Sequence, residues 1–471
     1  MASLGLELSD AGILVAGGEP EKLLPVDGKM FESPGYAVPE KKQLLVGRSA
    51  ESKAQLLPLQ VNNRFWDQLN TEPLEQKSRH AQNHAEIACA HLSLIWENVK
   101  MHGEDMIIAV PDYYGREHLG LILGMAQELS IPLRGFVSLP IAASFNPRPD
   151  AMLLHLDIHL HRFEITCLHQ GEELTREQST DAQEINLEQL YRNWVESIAR
   201  EFVRNTRFDP LHKAATEQAL YNRLPAALEI LKVNSSFLFE ISHGKHIYRI
   251  TLSRDFLKRK SASMYDDILN LIGQMRAVHG QNDSRTILQL THRIGSLPGL
   301  KDKLSTIDNC EITELEPGAA AIGVLGLVSR LSHRHDGHGV SYFTTRPWPG
   351  TARTGSRISP EKSPDRLRAT HLLHRDVAYP LSGKPLIIGS GDSPDGEQLH
   401  IRIQSSGISS KHCKIQRDGG TIVITDYSRQ GTFVDGQKID GNTMMGLGQT
   451  IRLGTSDETL RLIACVEGDE T

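Results

Sequence analysis

Four residues near the middle of the chain alternate in a pattern that could do chemistry: His155, Asp157, His159 and His161. On an extended strand they share one face, and imidazole with carboxylate is a metal-ligand set. Neighbouring same-face residues on a strand sit roughly 6.5–7 Å apart, however, and three ligands from one strand seldom converge on one ion. The row is therefore expected to line a cleft with polar side chains, and no metal site is expected. A second tract, His333, His335 and His338, reads as solvated chain, with weak zinc affinity as its alternative. No Ser-His-Asp, Cys-His or phosphate-loop constellation stands out, so no catalytic residue is assigned. Gly17-Gly18 lacks the Lys-Ser/Thr that would complete a phosphate loop and reads as a turn.

The chain that must position these residues has 471 of them, enough for two or three compact domains. Lys and Arg number 51 against 58 Asp and Glu, and the net charge of -7 argues against general nucleic-acid binding. No run approaches the roughly 18 apolar residues that a membrane span needs. The N-terminus lacks the basic-then-apolar layout of a signal peptide. Five scattered cysteines (Cys89, Cys167, Cys310, Cys413 and Cys465) form no CxxC pair, so a reduced, cytoplasmic setting is expected.

Three regions separate by composition. Residues 1–332 alternate short apolar runs with amphipathic segments, as strand–helix units do. Residues 333–379 turn to Pro, Gly, Ser, Arg and His, which bury little apolar area; they read as a flexible, mildly basic linker. Residues 380–471 carry short strands at close spacing, punctuated by turn signals such as Asp418-Gly419-Gly420 and Asp435-Gly436, which fits an antiparallel sandwich.

The first region repeats itself. Met106–Val110 is an apolar run ended by Pro111; Leu119, Ile122, Leu123, Ala126 and Leu129 then fall on one helix face, and Gly135–Leu139 leads into Pro140-Ile141-Ala142-Ala143. Later, Ile287–Leu290 is followed by Leu297-Pro298-Gly299-Leu300, and Ile312–Leu315 leads into Glu316-Pro317-Gly318-Ala319-Ala320-Ala321. Small residues in the two closing helices would let backbones pack closely.

These motifs resemble the actin-like ATPase superfamily, most closely the nucleotide-binding part of DnaK-type heat-shock chaperones. The resemblance implies an α/β, two-lobed, ribonuclease H-like fold enclosing ATP and Mg²⁺. In that family two Asp-x-Gly hairpins cradle the phosphates and a Gly-Gly turn lies against adenosine, because backbone must approach phosphate closely. Here the first hairpin aligns as Leu6-Glu7-Leu8-Ser9-Asp10-Ala11-Gly12, so Glu7 and Ser9 hold the acid and glycine positions. The second aligns as Leu156-Asp157-Ile158-His159-Leu160-His161, and the adenosine turn as Leu290-Thr291-His292-Arg293. The resemblance thus implies a vestigial nucleotide site at Glu7, Ser9, Asp157, His159, His161, Thr291 and His292, with an imidazole filling the γ-phosphate pocket. No cofactor is expected; Glu7 and Asp157 holding Mg²⁺ through water is the residual alternative.

The C-terminal region resembles the forkhead-associated (FHA) domain, a β-sandwich that reads phosphothreonine peptides. Its motifs are Gly389, Ser409-Ser410-Lys411-His412, Asp426-Tyr427-Ser428-Arg429-Gln430-Gly431-Thr432, Gly448 and Ile451-Arg452-Leu453-Gly454. The resemblance implies a phosphopeptide site at Ser409, Ser410, Lys411, Arg429, Gln430 and Ser390. Gly389, His412, Gly431 and Thr432 take structural roles. The family's Arg after the strand-end glycine is Ser390 here, and its Asn before Gly-Thr is Gln430. A charge-assisted bond exceeds a neutral one by enough to make the lost Arg worth about tenfold in affinity. Lys411 and Arg429 are placed to supply charge, with Arg402 further off.

The expectation is a cytoplasmic adaptor or scaffold: a DnaK-like pseudo-ATPase domain coupled to an FHA domain that docks a protein partner, by phosphothreonine or by phosphate-independent contacts. The alternatives are an active ATPase regulated through its FHA domain, and an actin-like filament protein. The oligomeric state stays open.

Overall fold

The computed structural model describes residues 3–75, 79–146, 148, 151–171, 173–278, 285–328, 340–347, 371–374, 377–381, 385–391, 399–402, 407–418, 421–434, 437–439, 441–445, 449–454 and 459–463. His333, His335, His338, Gly448, Cys465 and most of the expected linker lie outside them. The chain divides into two compact units, Met1–Arg353 and Thr354–Thr471.

The first unit is built on two sheets with one plan. In the first, Leu133–Ser138, Asp105–Val110 and Ser3–Glu7 run parallel, and Ile13–Gly17 and Lys22–Leu24 continue antiparallel. In the second, Cys310–Glu314, Thr286–Leu290 and Met152–Ile158 run parallel, and Phe163–Gln170 and Glu173–Ala182 continue antiparallel. The central strand Met152–Ile158 is buried at every position, as its near-continuous apolar sequence requires of a strand covered on both faces. Helices link the parallel strands. Leu187–Thr206 turns Leu187, Leu190, Trp194, Ile198 and Phe202 inward at helical spacing and starts on Asn186, whose side chain accepts from the Gln189 amide.

The repeated unit expected from the sequence is therefore present, and its small-residue helices do bring backbones close. Leu139–Ala143 and Ala319–Leu325 follow the third strand of their respective sheets. A Cβ on Gly323 would collide with the Ala142 carbonyl, and one on Gly5 with the Ala321 carbonyl. No helix among the described residues is long and apolar enough to cross a membrane.

Part of the expected linker is instead structured. Ser341–Phe343 pairs parallel with Leu133–Ser138 at the edge of the first sheet, and Thr345–Pro347 pairs antiparallel with Glu173–Ala182 at the edge of the second. Tyr342, Phe343, Thr344 and Thr345 are strand formers whose signal was diluted by the Gly, His and Pro around them. Arg346 is buried and donates to the carbonyls of Ala142 and Ser144 at 3.0 and 3.2 Å. This seven-residue clasp ties both sheets of the unit together. Likewise His371–His374 and Val377–Pro380, also assigned to linker, pair with each other, and His371–His374 pairs with Thr459–Ile463. The second domain thus begins before residue 380.

The second unit is a two-sheet sandwich. One sheet runs Val377–Pro380, His371–His374, Thr459–Ile463, Thr450–Leu453, Thr432–Val434, Gln437–Lys438; the other runs Leu399–Arg402, Leu386–Gly389, Cys413–Asp418, Thr421–Asp426, Asn442–Met445. Inward residues of both sheets, among them Leu372, Ile388, Ile415, Ile424, Ile451 and Leu462, share one core.

Candidate functional site

In the first unit, the turn Leu8–Gly12 and the turn between Met152–Ile158 and Phe163–Gln170 face one another, Ser9 meeting His159 across them. The structure brings Glu7, Ser9, Asp157, His159 and Thr291 into one buried network, none of these five more than 4% exposed. The member that sequence missed is Arg293. Its guanidinium donates to Asp157 Oδ2 at 3.0 Å, to Asp157 Oδ1 at 3.2 Å and to Glu7 Oε1 at 3.1 Å. Thr291 Oγ1 donates to Asp157 Oδ1 at 2.7 Å, and Glu7 Oε2 accepts from the Ala320 amide at 3.2 Å. Burial alone would raise Asp157, but Arg293 and His159 outweigh it and hold its carboxyl far below the usual carboxylate range.

The guanidinium, not an imidazole, thus lies between the two acids. His159 instead meets Ser9 Oγ through Nδ1 at 2.9 Å, and its Nε2 is 3.5 Å from Glu164. Burial pushes that imidazole down, but Asp157, Glu164 and Asp10 outweigh it and raise its pKa. The predicted row of four also breaks. The strand ends at Ile158, and His159 and His161 lie in the turn beyond it. His155 turns to Gln289 at 2.9 Å, and His161 to the Asn63 carbonyl at 2.9 Å. His292 faces Glu32 at 3.7 Å and reaches the network only through that acid, whose Oε1 lies 3.8 Å from Arg293. Among the described residues no group of three or more His, Cys, Asp or Glu is arranged to hold a metal ion.

In the second unit, three turns meet at one end of the sandwich. Gly389 lets the Ser409–Ser410 turn lie against the strand end: Ser390 N donates to Ser409 O at 3.0 Å and Gly391 N to Ser410 O at 3.1 Å. A Cβ on Gly389 would collide with the Ser410 carbonyl and lie 2.9 Å from that of Ser409. Gly389→Ala is accordingly expected to displace this turn and cost roughly 1–3 kcal/mol, read as a lower calorimetric transition for the second unit. An unchanged thermogram would contradict the packing described here.

His412, fully buried, joins the other turns from beneath. Its Nδ1 accepts from Ser409 N at 3.1 Å, which assigns the ring proton to Nε2, 3.3 Å from the Gly431 carbonyl. Burial pushes this imidazole below its ordinary value, while the Gly431 carbonyl pulls the other way. Asp426, which sequence reading quoted without assigning a role, organises the third turn. It accepts from Ser428 N at 2.9 Å, Thr432 N at 3.3 Å and Thr432 Oγ1 at 2.8 Å. Those donors outweigh its burial and hold its carboxyl below the usual range. An acid two residues before a serine and six before a threonine is the signal that could have identified it. Gly431 sits at φ 88°, a conformation that favours glycine.

On this frame Ser410, Lys411, Arg429 and Gln430 are exposed and Ser409 half-buried. Ser409 Oγ accepts from Arg429 N at 3.2 Å, leaving its own proton to donate. Lys411 Nζ lies 4.4 Å from the ring centroid of Tyr427, a half-exposed aromatic that sequence reading left out of the site. Ser390 is not presented: its hydroxyl donates to the Ile408 carbonyl at 3.0 Å. Of Arg402 only the backbone is described, pairing with Gly389.

The C-terminal unit is thus a β-sandwich with its interstrand turns braced from within and the exposed Lys411 and Arg429 above them. The family described as FHA domain matches residues 386–454, and the C-terminal unit carries that protein-interaction domain. None of the curated proteins matches the chain.

Proposed function

We infer that this chain is a cytoplasmic adaptor whose FHA domain docks a phosphothreonine-bearing protein and whose N-terminal unit serves as a non-hydrolysing scaffold. The observation that carries the first half is the half-buried Ser409 beside exposed Lys411, Tyr427 and Arg429, on turns held by buried His412 and by Asp426. Ser409 offers a hydroxyl donor; Lys411 and Arg429 offer the charge that position 390 lacks. An ammonium resting on an exposed ring is only partly desolvated, so it keeps most of its capacity for a phosphate.

Titration calorimetry of the full chain with a pool of phosphothreonine peptides and the same pool unphosphorylated tests this. The phosphorylated pool alone should bind. Lys411→Gln should weaken it about tenfold, and Ser390→Arg should strengthen it by a similar factor. Equal binding of both pools would replace this reading with phosphate-independent docking.

The second half rests on the first unit. Two sheets of the same strand order, with facing hairpins, support an actin-like, DnaK-like fold. Arg293, tied to both Glu7 and Asp157, supports loss of nucleotide chemistry, because it occupies the charges that would otherwise face Mg²⁺ and phosphate. The clasp formed by residues 341–347 further opposes the sheet movements that an ATP cycle needs. A rise in melting temperature with Mg-ATP would overturn this half and leave the phosphopeptide reading intact.

A further inference from the structure

A second basic site lies in the first unit, apart from the Arg293 network. The turn after the helix Leu187–Thr206 faces the tip of the hairpin Ser236–His243 and His246–Ser253. Between them is a cavity of about 310 Å³, lined in part by Arg207, Phe208, His212, Lys213, His243 and Tyr248. Its floor is aromatic. Phe208 stacks on Tyr248 with centroids 4.0 Å apart and an interplanar angle of 8°, and His243 lies 5.5 Å from Phe208 at 28°.

The rim is basic and carries little acid. Lys213 Nζ is 3.5 Å from His243 Nε2, so two basic groups are held side by side. Among the described residues, neither Arg207 nor Lys213 forms an ion pair with a carboxylate. Asp209 is the one acid in the lining; its Oδ1 accepts from Leu211 N at 2.9 Å and caps the turn Pro210–His212, which fixes where its charge sits.

The backbone adds to the field. Lys213 is the N-cap of the twenty-residue helix Ala214–Val233 and provides no side-chain acceptor for its first amides. The positive end of that dipole favours negative charge, and Glu217 in the first turn supplies one such charge beside Lys213. Arg207, the left-handed C-cap of the helix Leu187–Thr206 at φ 59°, donates its amide to the Val203 carbonyl and lines the cavity from that helix end.

We propose that this cavity binds a phosphate group, its oxygens taken by Lys213, Arg207 and the two histidines, with the aromatic floor beneath whatever carries it. The volume is at the lower end for ligand pockets, enough for a phosphate and a short attached segment. The proposal is independent of the FHA reading.

The test uses full-length protein with ¹³C-labelled histidine, His243 and His212 being assigned by substitution. Inorganic phosphate is titrated at constant ionic strength against chloride. The two ring signals should shift saturably with phosphate and not with chloride. Lys213→Gln should weaken the effect about tenfold, and Lys411→Gln, in the other unit, should leave it unchanged. Because Arg207 and Lys213 are exposed, their glutamine variants should melt as the parent does. A phosphoserine peptide that binds more tightly than inorganic phosphate assigns the site to a phosphoprotein; one that binds equally or less tightly assigns it to a small phosphate ligand. Histidine shifts that follow chloride equally, or that persist unweakened in both Lys213→Gln and Arg207→Gln, would overturn the proposal.

Discussion

Arg293→Met is expected to destabilise the first unit by about 3–5 kcal/mol, the usual cost of stripping the partner from a buried carboxylate. Two acids would be stranded at once, since Glu7 and Asp157 are 3% and 1% exposed and both receive the guanidinium. All four tryptophans, Trp66, Trp96, Trp194 and Trp348, precede residue 354, so their fluorescence follows unfolding of this unit selectively. Arg293→Lys should rescue little, because an ammonium cannot reproduce three directed bonds. Pairing Arg293→Met with Asp157→Asn should recover part of the loss, as the buried charge leaves with its partner. A single Arg293→Met variant that melts as the parent does would refute the network.

The same network has a definite pH signature. Asp157 is depressed in the folded protein, so its stabilisation is complete above the unfolded value near 4 and is lost as acid lowers the pH through the folded one. His159 is raised, so its contribution is complete below about 6.5 and is lost as pH rises through its folded value. Both act together between roughly pH 4 and 6.5.

His412→Ala should abolish phosphopeptide binding while leaving the first unit untouched. It orphans the Ser409 amide, at roughly 1–3 kcal/mol for a buried group left unpaired, while the Gly431 carbonyl keeps the Gly454 amide at 2.9 Å. More important for function, the Ser409 turn and the Gln430–Gly431 turn lose their buried bridge and keep only the Arg429 amide on Ser409 Oγ. Calorimetry with the phosphothreonine pool should show at least a tenfold loss, with tryptophan-detected unfolding unchanged. Because the folded imidazole is depressed, stability from this group is complete above about pH 6.5 and falls as the pH drops through its folded value. Parental affinity in His412→Ala would mean that the turns are held in register by other means.

Much of this was legible in the residues. Met106–Val110 and Ile287–Leu290 read as strands and lie within strands, because apolar runs ended by proline or by a turn are local signals. Ser409, His412, Gly431 and Thr432 were placed by the resemblance to the FHA family, whose motifs are short because turns impose their requirements over a few residues. The clasp at 341–347 was not legible: three-residue strands at sheet edges carry too little periodicity to rise above a glycine- and proline-rich neighbourhood. Ser390 was assigned to the ligand because its position matched, but its hydroxyl faces inward.

By itself, then, the chain's order of residues determined the two-part organisation, the repeated strand–helix unit and the chemistry of the docking turns, all of them set by neighbours a few positions apart. Tertiary structure decided which polar groups meet. Thr291, His292 and Arg293 are consecutive, yet Arg293 crosses 136 residues to Asp157 and 286 to Glu7 while His292 turns to Glu32. Lys213 finds His243 across 30 residues in the same way. Such partners are chosen by how sheets and helices pack, and the energy of a buried charge depends on the partner it finds there rather than on the residues beside it in the chain.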